Sequence, residues 1–166
     1  MTTNRHGSAV IEFPSALEIL TTRLFEAPIE LVFDVFTKEE HVRKTLAPFD
    51  DEVTVCTIDL RVGGSYHFVA VTQDGTECSF RGTYLEVEPP TRTVQTWLFD
   101  GWPDAEAVET MELHETDGVT TYTNRLAFRD QAGRDHMTKF DGQEASLDNV
   151  EAYLRSLLDL EGTASG

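Results

Sequence analysis

The last regular segment of the chain, residues 141–160, constrains the fold most. Its apolar side chains recur at steps of three and four, which places them on one face of an α-helix. These residues are Leu147, Val150, Leu154, Leu157 and Leu158. Asp148 and Glu151 fall largely outside the stripe, and Gly162 is expected to follow the end of the helix. A one-sided helix of this length needs a surface that buries its stripe, and the preceding residues must supply it.

Those preceding residues are mainly predicted strands. Apolar and polar side chains alternate in seven segments, at 16–26, 53–60, 65–72, 76–88, 91–100, 107–115 and 119–130. Helical spacing predicts two short helices, at 29–37 and 38–46, between the first and second strands. Short turns that contain glycine join the later strands, which favours an antiparallel meander.

The order of elements predicts an α+β protein in which a curved antiparallel sheet of about seven strands surrounds a long C-terminal helix. The two short helices come after the first strand. We expect a single domain at 15–161, preceded by a flexible arm at 1–14 and followed by a tail at 162–166. The length of 166 residues is sufficient for a hydrophobic core of its own.

The charge balance excludes several classes of partner. The chain has 30 acidic and 13 basic residues, for a net charge of −17. A negative field of this size repels phosphate backbones, so nucleic acid is not an expected partner. No apolar run is long enough to cross a bilayer, so neither membrane insertion nor a location outside the cytoplasm is expected. Cys56 and Cys78 fall in separate strands and are interpreted as buried thiols.

The sequence shows no strong catalytic or metal-binding signature. There is no GxSxG, HExxH or glycine-rich phosphate loop. No two of the five histidines are spaced to share a metal on one helix face, so no metal and no cofactor are expected. His67 lies in the middle of a predicted strand, although alternation points it outward.

Strand alternation predicts polar side chains on the inner face of the sheet. If Trp97 faces inward, Gln95 does too, and if Leu126 faces inward, so do Asn124 and Tyr122. An unpaired buried amide costs about 1–3 kcal/mol, so these amides need partners. A ligand could supply them. The alternative is that the two amides bond each other, the backbone or water.

The predicted ligand-binding residues combine these positions with neighbours on the same face. The full set is Tyr66, Phe68, Gly82, Gln95, Trp97, Glu109, Met111, Tyr122, Asn124 and Leu147. Gly82 either leaves room near the helix or marks a bulge. Glu109 would be a candidate base if it is buried and a solvated carboxylate if it is not. The apolar loop at 101–103 is a candidate lid over the mouth of the cavity.

Three motifs in this order resemble a known family. They are residues 25–33 (FEAPIELVF), 60–66 (LRVGGSY) and 82–90 (GTYLEVEPP), the last leading into Thr96-Trp97. Together with the element order they resemble the helix-grip fold of START domains and the major birch-pollen allergen. Within that superfamily, the motifs look like the homologues of the heat-shock chaperone ATPase activator. The match runs from about 17 to 158. Two departures are Thr45 and Gln143, where the family commonly has tryptophan.

The resemblance implies an internal cavity and, with it, the binding of a small hydrophobic or aromatic molecule. An enzyme of the cyclase or aromatase type, working without a cofactor, is the alternative, with Glu109, His67 and Tyr122 as its candidate acid–base residues. A third alternative is an interaction protein that activates a chaperone, and a chaperone partner is the least expected. Either a monomer or a homodimer would fit. The pattern favours a binding protein over an enzyme.

Overall fold

We describe the protein from a computed structural model, which places residues 9–46, 52–100, 106–137 and 142–165. Eight strands and four helices are present in these ranges. The strands are β1 (Val10–Glu12), β2 (Glu18–Phe25), β3 (Glu52–Ile58), β4 (Ser65–Val71), β5 (Glu77–Glu88), β6 (Arg92–Phe99), β7 (Ala107–Thr116) and β8 (Val119–Phe128). The helices are α1 (Ile29–Thr37), α2 (Glu39–Thr45), α3 (Gln131–Met137) and α4 (Gly142–Ser165).

The strands form one antiparallel sheet in the order β1-β2-β8-β7-β6-β5-β4-β3. Each strand from β3 to β7 pairs with the next one in the chain, and β2 pairs with β8. Gly63 and Gly75 adopt positive φ angles of 84° and 89° in two of the connecting turns, where a side chain would be strained. The predicted α+β architecture is therefore confirmed, with the two short helices after β2 and the long helix against the sheet.

Three elements differ from the sequence-based expectation. β1 lies inside the segment that was interpreted as a loose arm, and it pairs with β2. α3 was not predicted, because residues 131–133 were interpreted as closing the last strand, but Asp130 Oδ1 accepts a hydrogen bond from the Gly133 N–H at 2.9 Å, as a helix-capping aspartate does. α4 continues past Gly162 to Ser165. A glycine inside a helix costs about 1 kcal/mol, so it is a weak stop signal when the helix is otherwise supported.

One half of the inner face is filled by the helices. Side chains from β2, β7 and β8 pack against α1 and α4, and all of them are at most 5% exposed. This filled half contains Phe25, Val32, Phe33, Val35, Met111, Leu113, Tyr122, Leu147, Val150 and Leu154. The leucine-rich stripe of α4 is thus buried against the sheet, as predicted.

A buried ion pair joins the filled half to α4. Arg23 on β2 has a fully buried side chain, and its guanidinium donates to Asp148 Oδ1 at 2.6 Å and to Glu151 Oε1 at 3.0 Å. The sequence analysis placed both acids outside the helix stripe, but their side chains are only 13% exposed. Arg23 faces inward with Thr21 and Phe25. Asp148 and Glu151 contact it from α4 and are therefore mostly buried.

Candidate functional site

Three polar side chains meet in the middle of the inner face, and we call them the acid–amide cluster: Gln95 on β6, Glu109 on β7 and Asn124 on β8. Gln95 Nε2 donates to Glu109 Oε1 at 3.0 Å. Asn124 Nδ2 donates to Glu109 Oε2 at 2.7 Å. Each carboxylate oxygen therefore accepts one amide hydrogen bond, and the two amides are bridged by the acid rather than bonded to each other.

Strand register explains why the cluster faces the core. Gln95 and Glu109 are directly opposite each other in the β6–β7 pairing. Glu109 alternates with the buried residues Ala107 and Met111 on β7, and Asn124 alternates with buried neighbours on β8. Residues two apart on a strand share a face, and so do directly paired residues. The polar residues thus lie on a face that is otherwise apolar.

Burial shapes the electrostatics of Glu109. Loss of water raises the pKa of its carboxyl above the ordinary value, and the hydrogen bonds from Asn124 and Gln95 partly oppose that increase. Within the described residues, neither oxygen of this carboxylate forms an ion pair. Glu109 nevertheless keeps part of its accessible surface, while Asn124 is 4% exposed. The acid is enclosed by protein but not completely covered.

Asn124 contributes one unpaired acceptor. Because a carboxylate can only accept hydrogen bonds, the amide nitrogen of Asn124 must face Glu109, and its Oδ1 atom does not bond to that carboxylate. Oδ1 is buried and has no hydrogen-bond partner within the described part of the chain. A buried acceptor without a partner costs about 1–3 kcal/mol, and such sites in native proteins need an explanation.

Two tyrosines extend the polar region toward β4 and β5. The Tyr66 hydroxyl donates to the carbonyl oxygen of Thr96 at 2.7 Å. Tyr84 lies opposite Gln95 in the β5–β6 pairing and is 3% exposed. Burial, and after it the negative charge of Glu109, raises the pKa of both phenols well above the ordinary value. Both hydroxyls are therefore neutral at every physiological pH.

Aromatic rings cover the rest of this half of the inner face. We define the aromatic patch as Phe68, Phe80, Trp97 and Phe99, which are all half-buried. Phe68 pairs with Phe80 and Phe80 with Phe99 across neighbouring strands, so they share one face. The ring centroids of Phe80 lie 5.1 Å from Phe99 and 5.7 Å from Trp97. Unlike the filled half, these inward apolar side chains keep accessible surface.

The ten predicted site residues separate into groups in the structure. Gln95, Glu109 and Asn124 form the acid–amide cluster, while Tyr66, Phe68 and Trp97 surround it. Met111, Tyr122 and Leu147 lie in the filled half, where the Tyr122 ring stacks on Phe36 with centroids 4.7 Å apart.

Gly82 is a case of close approach. A Cβ atom there would overlap the Thr96 carbonyl oxygen and lie 2.8 Å from Tyr66 Cε1. The space left by its missing side chain is therefore occupied by protein.

Other candidates lie apart from the cluster or outside the described residues. His67 is on the opposite face of β4 from Tyr66, and its Nε2 atom is 2.9 Å from Ser79 Oγ. Thr45 is buried, and its hydroxyl donates to the His41 carbonyl at 3.2 Å. The candidate lid at 101–103 and the side chain at position 143 lie outside the described residues. In the described ranges, no group of three or more His, Cys, Asp and Glu side chains is arranged to hold a metal.

Tyr84 and Phe80 were not predicted, and Phe99, which alternation places on the inward face with Trp97, was not included among the predicted ligand-binding residues. Tyr84 and Phe80 are each two residues from Gly82, so alternation along β5 would have placed them on the same face. Phe99 is two residues from Trp97 on β6. The signal was present, but the β5 pattern also contains a register shift between Tyr84 and Glu86 that obscures the alternation.

Comparisons with known proteins agree with this architecture. Three solved structures illustrate the likeness. A Rhodobacter sphaeroides protein has a TM-score of 0.83 at 20% identity, with 90% of this chain and 99% of that chain covered. A Nitrosomonas europaea protein has a TM-score of 0.77 at 23% identity, with 89% of this chain and 99% of that chain covered. A Chromobacterium violaceum protein has a TM-score of 0.71 at 26% identity, with 82% of this chain and 96% of that chain covered. No curated protein sequence matches the chain.

Two further findings bear on the class of protein. Within the described residues, no helix is both long and apolar enough to span a bilayer. The model of one protein family, described as "Activator of Hsp90 ATPase homolog 1-like protein", matches residues 26–155, which is most of the chain. That match includes the acid–amide cluster and the aromatic patch. The chain therefore belongs to the Activator of Hsp90 ATPase homolog 1-like family.

Proposed function

We propose that the protein binds a small, largely aromatic molecule against the open half of its inner face, which is the half that carries the acid–amide cluster and the aromatic patch. The observation that carries this proposal is the contrast in burial on one continuous face. The rings of the aromatic patch keep accessible surface, whereas the equivalent apolar side chains of the filled half are covered. Binding sites for small molecules are typically concave and apolar with a few placed polar groups. The acid–amide cluster supplies such groups at the centre of this face.

A neutral aromatic probe tests the proposal. Naphthylmethanol is expected to raise the melting temperature with concentration, because a ligand that binds only the folded state stabilises it by RT ln(1 + [L]/Kd). Phe68→Ala removes part of the proposed wall and is expected to weaken binding about fivefold or more, measured by isothermal titration calorimetry. Leu85→Ala, which truncates an apolar residue that is 46% exposed, is the matched control and should leave Kd unchanged. Failure of naphthylmethanol and related naphthyl compounds to bind would refute the proposal.

The environment of Glu109 supports a second candidate function, a cofactor-independent enzyme that moves a proton on a bound substrate. A carboxyl group whose pKa is raised by burial is suited to general acid–base work near neutral pH. In such a reaction the Glu109 carboxylate would remove a proton from a carbon next to a carbonyl and later return it. The test uses an aryl β-diketone in D₂O and follows exchange of its α-protons by NMR. An enzyme predicts exchange above the buffer rate that is lost in Glu109→Gln, and a binding protein predicts the buffer rate in both.

A further inference from the structure

The acid–amide cluster places an acid on an apolar face, and no described residue forms an ion pair with it. The described arginines that contact acids do so elsewhere, as Arg23 does with α4 and Arg125 does with Glu18 on β2. Among the described residues, the side chains that donate hydrogen bonds to Glu109 are the two amides. Buried charges in proteins are normally paired, because an isolated ion loses its hydration without compensation. The site is therefore incomplete as an ion pair.

We propose that the ligand carries a protonated amine, which Glu109 binds while the apolar part of the ligand lies on the aromatic patch. This inference rests on the proposed binding function and specifies the chemical class of the ligand. The geometry favours a cation because the polar groups at the centre of the face surround a carboxylate that forms no ion pair within the described residues. What remains for a ligand is negative charge and acceptor atoms.

Asn124 independently indicates that the ligand group at this site is a hydrogen-bond donor. Its amide nitrogen is held by Glu109, so its buried Oδ1 atom is left without a donor in the described part of the protein. An ammonium group has three N–H donors and no acceptor, so it can serve a carboxylate and a neighbouring acceptor together. A ligand carboxylate would lie beside the negative charge of Glu109 and the unpaired Asn124 oxygen, which both repel it. Anionic ligands such as aromatic acids are therefore disfavoured.

The surroundings strengthen the attraction for a cation. Trp97 and Phe80 present aromatic rings near the cluster, and ring faces attract ammonium groups electrostatically. Trp97 pairs with Ala107, two residues from Glu109 on the same strand face, so one ligand can reach both. The net charge of −17 adds a long-range field that concentrates cations and repels anions.

Three probes that share one ring system separate the inference from the proposed function. Naphthylmethylamine is cationic at pH 7, naphthylmethanol is neutral and naphthoate is anionic. The expected order of affinity is cation, neutral, anion, with the amine binding about tenfold more tightly than the alcohol, which is the scale of one charge-assisted hydrogen bond. If the alcohol binds as tightly as the amine, or the acid binds most tightly, the inference is wrong while the binding function stands. If no probe binds, both are wrong.

Two variants test whether Glu109 causes the preference for the amine over the alcohol. Glu109→Gln keeps the size of the side chain and removes its charge, and it is expected to reduce amine affinity about tenfold while changing alcohol affinity by less than about threefold. Glu112→Gln removes the same charge from the exposed face of the same strand and should leave the preference intact. A preference that is unchanged in Glu109→Gln would assign it to the overall charge and overturn the inference. If Glu109→Gln fails to fold, the three probes are compared again in about 1 M NaCl, which screens the field of the net charge far more than contact with an enclosed carboxylate. Loss of the amine preference there would overturn the inference.

Discussion

The two halves of the inner face carry similar apolar side chains but bury them to different degrees. In the filled half, Phe25 is 0% exposed and its ring lies edge-on to Tyr122 with centroids 6.0 Å apart, beneath α1 and α4. In the open half, Phe99 stacks on Phe80 at 5.1 Å and remains half-buried. The same strand alternation produces both halves. The difference lies in what covers the side chains: helices cover the filled half, whereas the rings of the open half keep accessible surface.

The largest expected effect compares one phenylalanine from each half. Phe25→Ala is expected to lower the free energy of unfolding by about 4 kcal/mol, because it removes a fully buried ring and leaves a cavity that its neighbours only partly fill. Phe99→Ala is expected to cost about 2 kcal/mol, because part of that ring is already exposed and its main contact is one stacked ring. Urea unfolding monitored by circular dichroism measures both. Equal losses would show that the two halves are equally filled.

The second effect concerns the ion pair that fixes α4 to the filled half. Arg23→Met keeps the apolar stem and is expected to cost about 3 kcal/mol, because Asp148 and Glu151 lose the fully buried cation that they share, although Glu151 keeps its contact with Arg155 at 3.3 Å. Arg125→Met breaks the ion pair with Glu18, in which the Arg125 side chain is 43% exposed, and should cost less than about 1 kcal/mol. Thermal unfolding of both variants tests this. A small loss in Arg23→Met would mean that the helix is held by its leucine stripe alone.

The fold could be predicted from the sequence to a large extent, for physical reasons that differ between elements. The periods of strands and helices are local properties, so β2 and the α4 stripe were recognised and the alternation of Thr21, Arg23 and Phe25 was confirmed. β1 has only three residues and exists through its pairing with β2, which no local pattern reveals. The ion pair of Arg23 with the helix spans 125 positions along the chain and is likewise a property of the assembled fold.

The site could be predicted only in part. Alternation identified the inward face that carries Gln95 and Asn124, but it left open what they bind. The structure shows that Glu109 lies between them, because all three neighbouring strands must be in register before the acid meets both amides. Alternation also cannot tell which inward residues are covered by a helix. For that reason Tyr122 and Leu147 were grouped with Trp97, although they lie in the filled half.

A third effect tests whether Gly82 provides ligand space in the open half. Gly82→Ala is expected to destabilise the fold by about 2 kcal/mol, because the new methyl group would overlap the Thr96 backbone and crowd the Tyr66 ring, so that β5 and β6 must separate. The exposed neighbouring substitution Thr83→Ala should change stability by no more than about 0.5 kcal/mol. Thermal unfolding compares them. A neutral Gly82→Ala would indicate free space at this position and would move the boundary of the open half.

The smallest effect has the opposite sign and concerns the charge in the open half. Because the pKa of Glu109 is raised in the folded state, the folded protein holds that proton more tightly than the unfolded chain does. The resulting contribution to stability is fully present below the pKa of the unfolded chain and is lost as the pH rises through the folded-state pKa. Above that pH the unmodified protein contains a charged carboxylate with no described cation beside it, whereas a glutamine at the same position would be neutral.

Glu109→Gln is therefore expected to stabilise the protein by about 1 kcal/mol at pH 8 and by progressively less toward pH 4. Its new amide keeps an oxygen that accepts from Gln95, and it gains a donor that the Asn124 oxygen can accept once that amide rotates. Melting temperatures of both proteins across this pH range measure the difference, with Glu112→Gln as the control for removing one acidic charge. A gain in stability would mean that the chain keeps Glu109 at a cost to its own fold, as expected of a residue retained for binding. A loss of stability that does not change with pH would instead mean that Glu109 stabilises the fold, as the buried residues of the filled half do.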